Sequence, residues 1–412
     1  MIAASLPSRA RLAFVLGALA MFGPFSIDTV FPAFGAMARD LGSTPLAVQQ
    51  TISSYLLGYG LMSLFHGAIS DAVGRRPVIL WGVALFGLAS VGCALSADLT
   101  TLLVFRFVQG LCAGVGMIVG RAIIRDVFDG EDAQRLMSQV SMIFSIAPAV
   151  APIVGGWILG FGDWHAIFWF LAAFSIVLGG VVWRVLPETH PPERRLPLDA
   201  RVLLGNYVAM LRHRRFLWLV AVTTLNFAAL FLYIASAPAL VLEHLGMGEQ
   251  DFGWFFVPVI SGMLVGAWLS GRAAGRVDAR RMVAVGFGCC LVATLANLGY
   301  AGLSPTFVYP WAVLPLVLLS FGVALVFPQL MIQMLDLYPT QRGSASSMQA
   351  FLSLMFQAGV AGALSPLLSA HPSRLALAAM LMSAIAFGLW RWGDRVLMQR
   401  RRHTAGVAST SS

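Results

Sequence analysis

Lysine is absent from this chain of 412 residues, so all 27 of its basic residues are arginine. A P-loop ATPase needs the lysine of its phosphate-binding motif, and Schiff-base chemistry with pyridoxal or retinal needs a lysine amine. Both classes are therefore excluded within this chain. Any work that the protein performs must draw its energy from an ion gradient or from a partner subunit.

Charge is also scarce, because only 11% of the residues are charged whereas soluble domains carry about 25%. With 58% hydrophobic residues and a mean hydropathy of +0.82, the sequence indicates an integral membrane protein without a cleavable signal peptide. The net charge is +9, but the arginines lie in short loops between apolar runs. That pattern indicates orientation in a lipid bilayer rather than nucleic-acid binding.

The chain has few cysteines, and none has the spacing of a metal site or a disulfide framework. All four lie within apolar runs, at Cys93, Cys112, Cys289 and Cys290. We interpret them as packing residues, and the sequence predicts neither a metal nor a cofactor.

Twelve apolar segments are long enough to cross a bilayer, which takes about 20 residues. Helices are expected throughout, because open strands cannot satisfy their backbone polar groups in lipid. The predicted fold is an all-α membrane protein with twelve transmembrane helices. The predicted spans are 12–34, 48–67, 77–97, 100–120, 137–160, 166–186, 216–240, 253–271, 282–302, 308–333, 345–368 and 375–390.

The arginines predict the orientation of these spans. With the amino terminus inside, the cytoplasmic stretches hold 24 arginines, the outer side holds Arg39 and Arg374, and Arg106 lies within a span. This asymmetry predicts that both termini are cytoplasmic.

The chain also divides into two similar halves. GAISDAVGRR (67–76) follows span two, and GRAAGRVDARR (271–281) follows span eight. A parallel six-plus-six repeat is an architecture of secondary transporters. We predict six-helix halves at 1–186 and 216–395, a cytoplasmic central loop at 187–215 and a cytoplasmic tail at 396–412.

The loop after span two combines glycines with charges. We expect Gly67 to let neighbouring helix ends approach closely and Gly74 to permit a tight turn. Asp71 can meet an arginine or the N-terminal end of a facing helix, while Arg75 and Arg76 hold the loop at the inner surface. The alternative is a basic loop that serves orientation alone.

Span four contains RFVQGLCAGVG, in which Arg106, Gly110 and Gly114 share one helical face beside Gln109. An arginine inside a membrane span is by default functional, although it can also extend its side chain to the outer interface.

Span five contains SIAPAVAPIVGGWILG. Its Pro148 and Pro152 are expected to bend the helix, and Gly155 and Gly156 to permit close packing.

Together these segments resemble the major facilitator superfamily. The loop resembles its signature between helices two and three, although Ala72 stands where a basic residue is usual. Span four resembles the Arg-x-x-x-Gly motif of proton-coupled members, and span five resembles the antiporter motif, with Ala151 replacing its leading glycine. The stretches SIDTVFPAF, RDVF and GSASS are similar to the Bcr/CflA group.

The resemblance implies a proton-coupled multidrug efflux antiporter of the bacterial inner membrane, which exports small drug-like or antibiotic compounds by alternating access. Its partners would be protons, a small-molecule substrate and the bilayer, and we expect a monomer without a cofactor. The alternative is a dedicated transporter of one metabolite on the same fold. An enzyme or a receptor is disfavoured, because the sequence lacks HExxH, GxSxG, paired intramembrane carboxylates and a large soluble domain.

Asp28 is the single charge between Leu12 and Phe34. At about 1.5 Å per residue, it lies about 26 Å from the inner end of span one, and Arg106 lies about 9 Å below the outer end of span four. In a hydrocarbon layer about 30 Å thick, these depths differ by about 5 Å. We therefore predict that Asp28 and Arg106 form the proton-coupling pair. The alternative is a hydrated aspartate near the helix end.

Other polar residues within spans are candidates for substrate binding, because aromatic and amide groups in an apolar cavity suit bulky amphipathic ligands. Hydrogen bonding between helices is the alternative for each of them. The candidates are Tyr55, Tyr59, Gln109, Asn226, Tyr233, Gln329 and Gln333.

Overall fold

The apolar segments form helices, in which each backbone polar group bonds within its own segment. A computed structural model of the protein describes residues 8–195, 197–273, 275–304 and 306–410, without the side chains of Asp394 and of 396–410. Every regular element in these ranges is helical. Most of the predicted tail, 396–412, therefore has no described side chains, and 411–412 lie outside the described residues.

The described residues before the central loop contain ten α-helices. They are α1 (Arg9–Asp28), α2 (Phe34–Asp40), α3 (Pro45–Val48), α4 (Gln50–Ser63), α5 (His66–Val73), α6 (Arg75–Ala94), α7 (Leu99–Ala113), α8 (Val115–Val127), α9 (Gly130–Phe161) and α10 (Trp164–Val185).

The rest of the described chain contains eight further α-helices, and two π-helical segments, Ala239–His244 and Val360–Leu364, follow α12 and α16. The helices are α11 (Ala200–Arg212), α12 (Arg214–Ala235), α13 (Phe252–Ala273), α14 (Ala279–Leu303), α15 (Leu314–Leu335), α16 (Arg342–Gly359), α17 (Ser365–Leu368) and α18 (Pro372–Thr410).

Eleven helical stretches in the described chain are long and apolar enough to cross a membrane. The predicted span at 48–67 is not among them, because α4 has 14 residues and ends at Ser63. Its Ser63 hydroxyl donates to the Gly60 carbonyl at 2.7 Å, a local bond that often bends helices. The chain then turns at Leu64 and Phe65 before α5 begins.

The helices pack in the same order in both parts of the chain. In the first, α6 packs against α7 and α10, and α4 packs against α7. In the second, α14 packs against α15 and α18, and α13 packs against α15. The repeat seen in the loops therefore extends to the packing of the helices.

The two parts meet chiefly through α4 with α16 and α9 with α13. A row of polar contacts, which we call the Gln49 seam, joins them at one end of the bundle. Gln49 Nε2 donates to the Ala235 carbonyl at 2.7 Å, Gln50 Nε2 to the Gly362 carbonyl at 2.6 Å, and Ser53 Oγ to the Ala358 carbonyl at 2.8 Å.

The central segment 187–215 contains the amphipathic helix α11, where the sequence predicts a loop. Tyr207 on its buried face donates a hydrogen bond to the Leu64 carbonyl at 2.6 Å, and Asn206 accepts one from Gln341 at 3.3 Å. Burial raises the pKa of Tyr207 to about 12. Helix α11 thus connects the break after α4 to the start of α16.

Candidate functional site

Arg106 lies in the interior of the first half and is fully buried. It is carried by α7, whose start is fixed by the Asp98 side chain accepting from the Thr101 N–H at 2.9 Å. Gly110, one turn further on, lies against the Tyr55 backbone, so α7 and α4 cross closely there. The alternative that Arg106 reaches the membrane surface is wrong, because none of its side chain is exposed.

The Arg106 guanidinium is held by neutral groups. Its Nη1 donates to Gln109 Oε1 at 2.8 Å, to Ser26 Oγ at 3.2 Å and to the Ser26 carbonyl at 3.3 Å. Its Cζ lies 4.6 Å from the centroid of the Tyr55 ring, a favourable cation–π arrangement. Its Nε and Nη2 have no hydrogen-bond partner among the described residues.

Gln109 connects Arg106 to α6, because its Nε2 donates to Ser90 Oγ at 2.7 Å. The Cys93 thiol lies 3.6 Å from the Gln109 Oε1 that accepts from Arg106. In this structure Gln109 therefore orients Arg106. Ser26 and Ser90, which complete this network, were not identified from the sequence.

Asp28 is the last residue of α1, where the helix is interrupted before the 3₁₀ turn Phe31–Ala33. Only 5% of its surface is exposed, so most of the residue is buried in the helix bundle. Within the described chain its carboxyl group has no hydrogen bond or ion pair. Arg106 thus contacts Ser26, two residues before Asp28, and does not pair with Asp28 itself.

The loop between α5 and α6 is organised by Arg75. Its guanidinium bonds to Asp71 Oδ1 at 2.5 Å and to Asp126 Oδ2 at 2.9 Å. Gly74 has a φ of +111°, a conformation that favours glycine. Gly67 is not a point of close approach, since a Cβ there would lie 4.0 Å from its nearest neighbour, a methyl group of Ile118.

Glu188, just after α10, completes this loop. Its two carboxylate oxygens accept from the backbone N–H groups of Arg75 at 3.0 Å and Arg76 at 3.2 Å. Arg76 Nη2 in turn donates to the Trp183 carbonyl at 2.5 Å. The loop signature therefore joins α5, α6, α8 and the end of α10 into one charged junction.

Helix α9 is continuous through Pro148 and Pro152. Beyond the prolines, a Cβ on Gly155 would overlap the Thr29 carbonyl, and one on Gly156 would overlap the Glu249 carbonyl of the other half. Glycine is required at both positions because the backbones are in contact. These glycines place α9 against α1 on one side and against the segment before α13 on the other.

The remaining predicted substrate residues differ in how they bond. Tyr55 donates to the Gly23 carbonyl at 3.0 Å, Tyr233 accepts from Asn297 at 2.6 Å, and Gln329 donates weakly to Ser270 at 3.4 Å. The side chains of Tyr59 and Gln333 are half-buried and form no hydrogen bond within the described chain.

A polar stripe on α16 was not identified from the sequence. We define it as Gln349, Ser353 and Gln357, which are four residues apart and share one helical face. Gln349 donates to Ser353 at 2.9 Å, and Ser353 shares a hydrogen bond of 2.7 Å with Thr224 of α12. Gln357 is 3% exposed, yet neither atom of its amide has a partner among the described residues.

Comparison with known proteins agrees with this arrangement. Residues 14–366 match the Major Facilitator Superfamily. The chain belongs to this superfamily. Members are transporters, so the chain is a transporter rather than an enzyme.

Two curated relatives define its neighbourhood within the superfamily. The chain is 31% identical over 270 residues to the bicyclomycin resistance protein homolog of Haemophilus influenzae, a match that covers 66% of this chain and 68% of the relative. It is 30% identical over 369 residues to multidrug resistance protein D of Escherichia coli K12, covering 87% and 89% respectively. The predicted relationship to the Bcr/CflA group is confirmed.

Among solved structures, the peptide transporter POT has a TM-score of 0.74 at 16% identity, with 95% of this chain and 97% of that chain covered. This similarity shows the fold. The prediction of an all-α major facilitator fold is thereby confirmed.

Proposed function

We propose that this protein is a proton-coupled multidrug efflux antiporter that exports small drug-like or antibiotic compounds. Its membership of the superfamily supports transport, and the relatives named for bicyclomycin and multidrug resistance support efflux of such compounds. The observation that carries the coupling is a pair of buried, ionisable side chains of opposite sign, Asp28 and Arg106, neither of which has an ionic partner among the described residues.

The coupling follows from the cost of burying charge. An ionised carboxylate without a partner is expensive in an apolar interior, whereas the neutral acid is tolerated. Arg106 contacts α1 two residues from Asp28, through Ser26. A shift of Arg106 from Ser26 to Asp28 would permit proton release, and a shift back would favour proton uptake. Substrate that binds Arg106 would drive the same exchange between proton release and proton uptake at Asp28.

Alternating access would involve the two halves rocking about α4–α16 and α9–α13. Twelve spans are proposed, with α4 and α5 together forming span two, and with both termini in the cytoplasm of a bacterium. In this orientation the Gln49 seam lies on the outer side of the membrane. The charged junction around Arg75, between α5, α6, α8 and the end of α10, lies on the inner side. The seam contacts then correspond to a transporter closed to the outside. We also propose that the protein functions as a monomer.

Substrate would be recognised by unsatisfied hydrogen-bonding groups rather than by a fixed charge. Gln357 and the Oδ1 atom of Asn226 are buried without partners in the described chain, and both lie on the contacting helices α16 and α12. A buried amide without partners costs about 1–3 kcal/mol, which a ligand that bonds to it would recover. We propose supporting roles in substrate binding for Tyr55, Tyr59, Tyr233, Gln329 and Gln333.

The function is tested in a bacterium without its own efflux pumps. Expression should protect the cells against several unrelated toxic compounds in a panel. Protection against none, together with uptake or export of one metabolite, would favour the dedicated transporter instead.

Proton coupling is tested with Asp28→Asn, which keeps the size of the side chain and cannot titrate. Everted membrane vesicles with an acidic interior should accumulate a compound from the panel with the wild-type protein and not with Asp28→Asn. Asp163→Asn is the matched control, because Asp163 is an exposed helix cap and asparagine also caps helices. Uphill transport by Asp28→Asn at the wild-type rate would eliminate Asp28 as the proton carrier.

A further inference from the structure

A deep groove runs along the outside of the first half, between α6 and α10, away from the contacts between the halves. Its volume is about 850 Å³, within the range of sites for drug-sized ligands. Small residues create it, since Ala84 on α6 is accompanied by Gly179 and Gly180 on α10. A Cβ on Gly180 would have no atom within 4 Å, so the groove is open at that point.

The chemistry of the groove is asymmetric along its length. The walls are almost entirely apolar, while one end is formed by Arg76. The Arg76 side chain has no ion pair among the described residues, and its Nε is buried without a partner there. The nearby Glu188 directs its oxygens to backbone N–H groups. Arg76 therefore retains a positive charge at the end of an apolar channel.

Two exposed indole rings flank the groove, Trp81 (76% exposed) and Trp183 (62% exposed). Tryptophan is enriched where hydrocarbon meets the headgroups of a bilayer. Trp183 and Arg76 lie at the same end, since the Trp183 carbonyl accepts from Arg76. The arginine end of the groove is therefore at headgroup level, and the rest lies at the depth of the acyl chains.

We propose that this groove binds an anionic phospholipid, with an acyl chain between α6 and α10 and the phosphate at Arg76. From Arg76 to Val91 the groove extends about 22 Å along α6, enough for a chain that occupies one leaflet of a hydrocarbon layer about 30 Å thick. Basic pockets between membrane helices select anionic headgroups. The apolar walls hold the acyl chain, and Arg76 supplies the preference for negative charge.

The test uses purified full-length protein and native mass spectrometry to count retained lipids. The protein is reconstituted in bilayers of phosphatidylglycerol and phosphatidylethanolamine and then extracted in mild detergent. Wild type should retain phosphatidylglycerol in preference to phosphatidylethanolamine. Gly180→Leu should retain much less of it, because the new side chain projects into the groove and obstructs the path of the acyl chain. Gly288→Leu on the exposed face of α14 is the matched control, since its Cβ also meets nothing within 4 Å.

The headgroup contact is tested separately with Arg76→Gln. This variant should still retain lipid but lose about fivefold of its preference for phosphatidylglycerol, the value of one basic residue near an anionic surface. Equal loss of lipid in Gly180→Leu and Gly288→Leu would overturn the groove as the site. Retention of both lipids in equal amounts by wild type would overturn the anionic selectivity. Photolabelling of the groove by a transported compound in place of lipid would overturn the assigned occupant.

Discussion

At the scale of single residues, buried polar side chains differ in whether the fold satisfies them. Asn297 and Tyr233 bond to each other at 2.6 Å, and Gln329 reaches Ser270. Gln357 has no partner for either amide atom within the described chain. Since unmet polar groups in an apolar interior are costly, Gln357 is the stronger candidate for a residue that bonds to substrate.

This difference predicts opposite effects of two similar substitutions. Gln357→Met removes an unsatisfied amide, so we expect the thermal stability of the purified protein to stay the same or rise. The KM for transported compounds with hydrogen-bonding groups should rise about tenfold, the loss of roughly one hydrogen bond. Gln329→Met should lower stability with less effect on KM, because its amide already has a protein partner. An unchanged KM for Gln357→Met would show that this amide does not bind substrate.

Single residues also show which contacts could be predicted from the sequence and which could not. Depth along a helix can be counted, so Asp28 and Arg106 could be placed at similar heights. The group that Arg106 contacts depends on how α1 is rotated about its axis and on the Arg106 rotamer. Both the rotation and the rotamer are set by packing. Ser26 could therefore not be distinguished from Asp28 as the acceptor. Gln357 was missed because the sequence alone does not show which amides are buried and lack a partner, as Gln357 does among the described residues.

At the scale of elements, the junction after α5 depends on two aspartates around Arg75. Asp71 is 42% exposed and lies one turn away on the same segment, whereas Asp126 is 18% exposed and comes from α8. Exposed pairs contribute little, because water screens them. The Asp126 carboxylate lies in a drier environment and joins α8 to α6, which are distant in sequence, so we expect its bond to contribute more.

Two matched substitutions test this ranking. Asp71→Asn should reduce the initial rate of efflux while leaving protein abundance near normal. Asp126→Asn should reduce it further, because Arg75 would retain only its exposed partner. Efflux rates in intact cells, normalised to the amount of protein in the membrane, provide the measurement. Near-full efflux by both variants would mean that this loop serves orientation alone.

Hydropathy along the sequence predicts some helices well and others poorly. Most predicted spans correspond to apolar helices, because apolar length alone identifies them. Helix α11 was missed, since it has only 13 residues and lies in a polar stretch that cannot span a membrane. The break after Ser63 was missed because the apolar run continues through Leu64 and Phe65. Such a break depends on a local hydrogen bond that mean hydropathy cannot detect.

At the scale of the whole molecule, the proposed orientation makes a direct prediction about accessibility. After replacement of the four native cysteines, single cysteines at Arg194 and Arg280 should react with a membrane-impermeant maleimide only in everted vesicles. A cysteine at Asp163 should react in intact cells. Asp163 and Arg194 are both exposed in the structure, so accessibility reflects the side of the membrane. Labelling of Arg280→Cys from outside intact cells would contradict the twelve-span arrangement.

The Gln49 seam makes a second prediction for the whole molecule, since in the proposed orientation export requires this end to open. A Cβ on Gly362 would lie 3.0 Å from Ser53 Cβ, so a small shift gives the separation of about 3.8 Å that a disulfide needs. In a cysteine-free background, Ser53→Cys combined with Gly362→Cys should crosslink the halves under oxidation.

Alternating access requires the halves to separate at the seam, so this crosslink should abolish efflux and a reducing agent should restore it. The matched control pairs Gly82→Cys with Val115→Cys, whose Cβ atoms would lie 3.2 Å apart on α6 and α8 of one half. In the proposed rocking of the halves, that disulfide lies within one half, so it should leave efflux largely intact. Crosslinking efficiency on gels and efflux before and after reduction are measured together. Full efflux by a completely crosslinked Ser53–Gly362 pair would mean that substrate leaves without separation of the halves at this end.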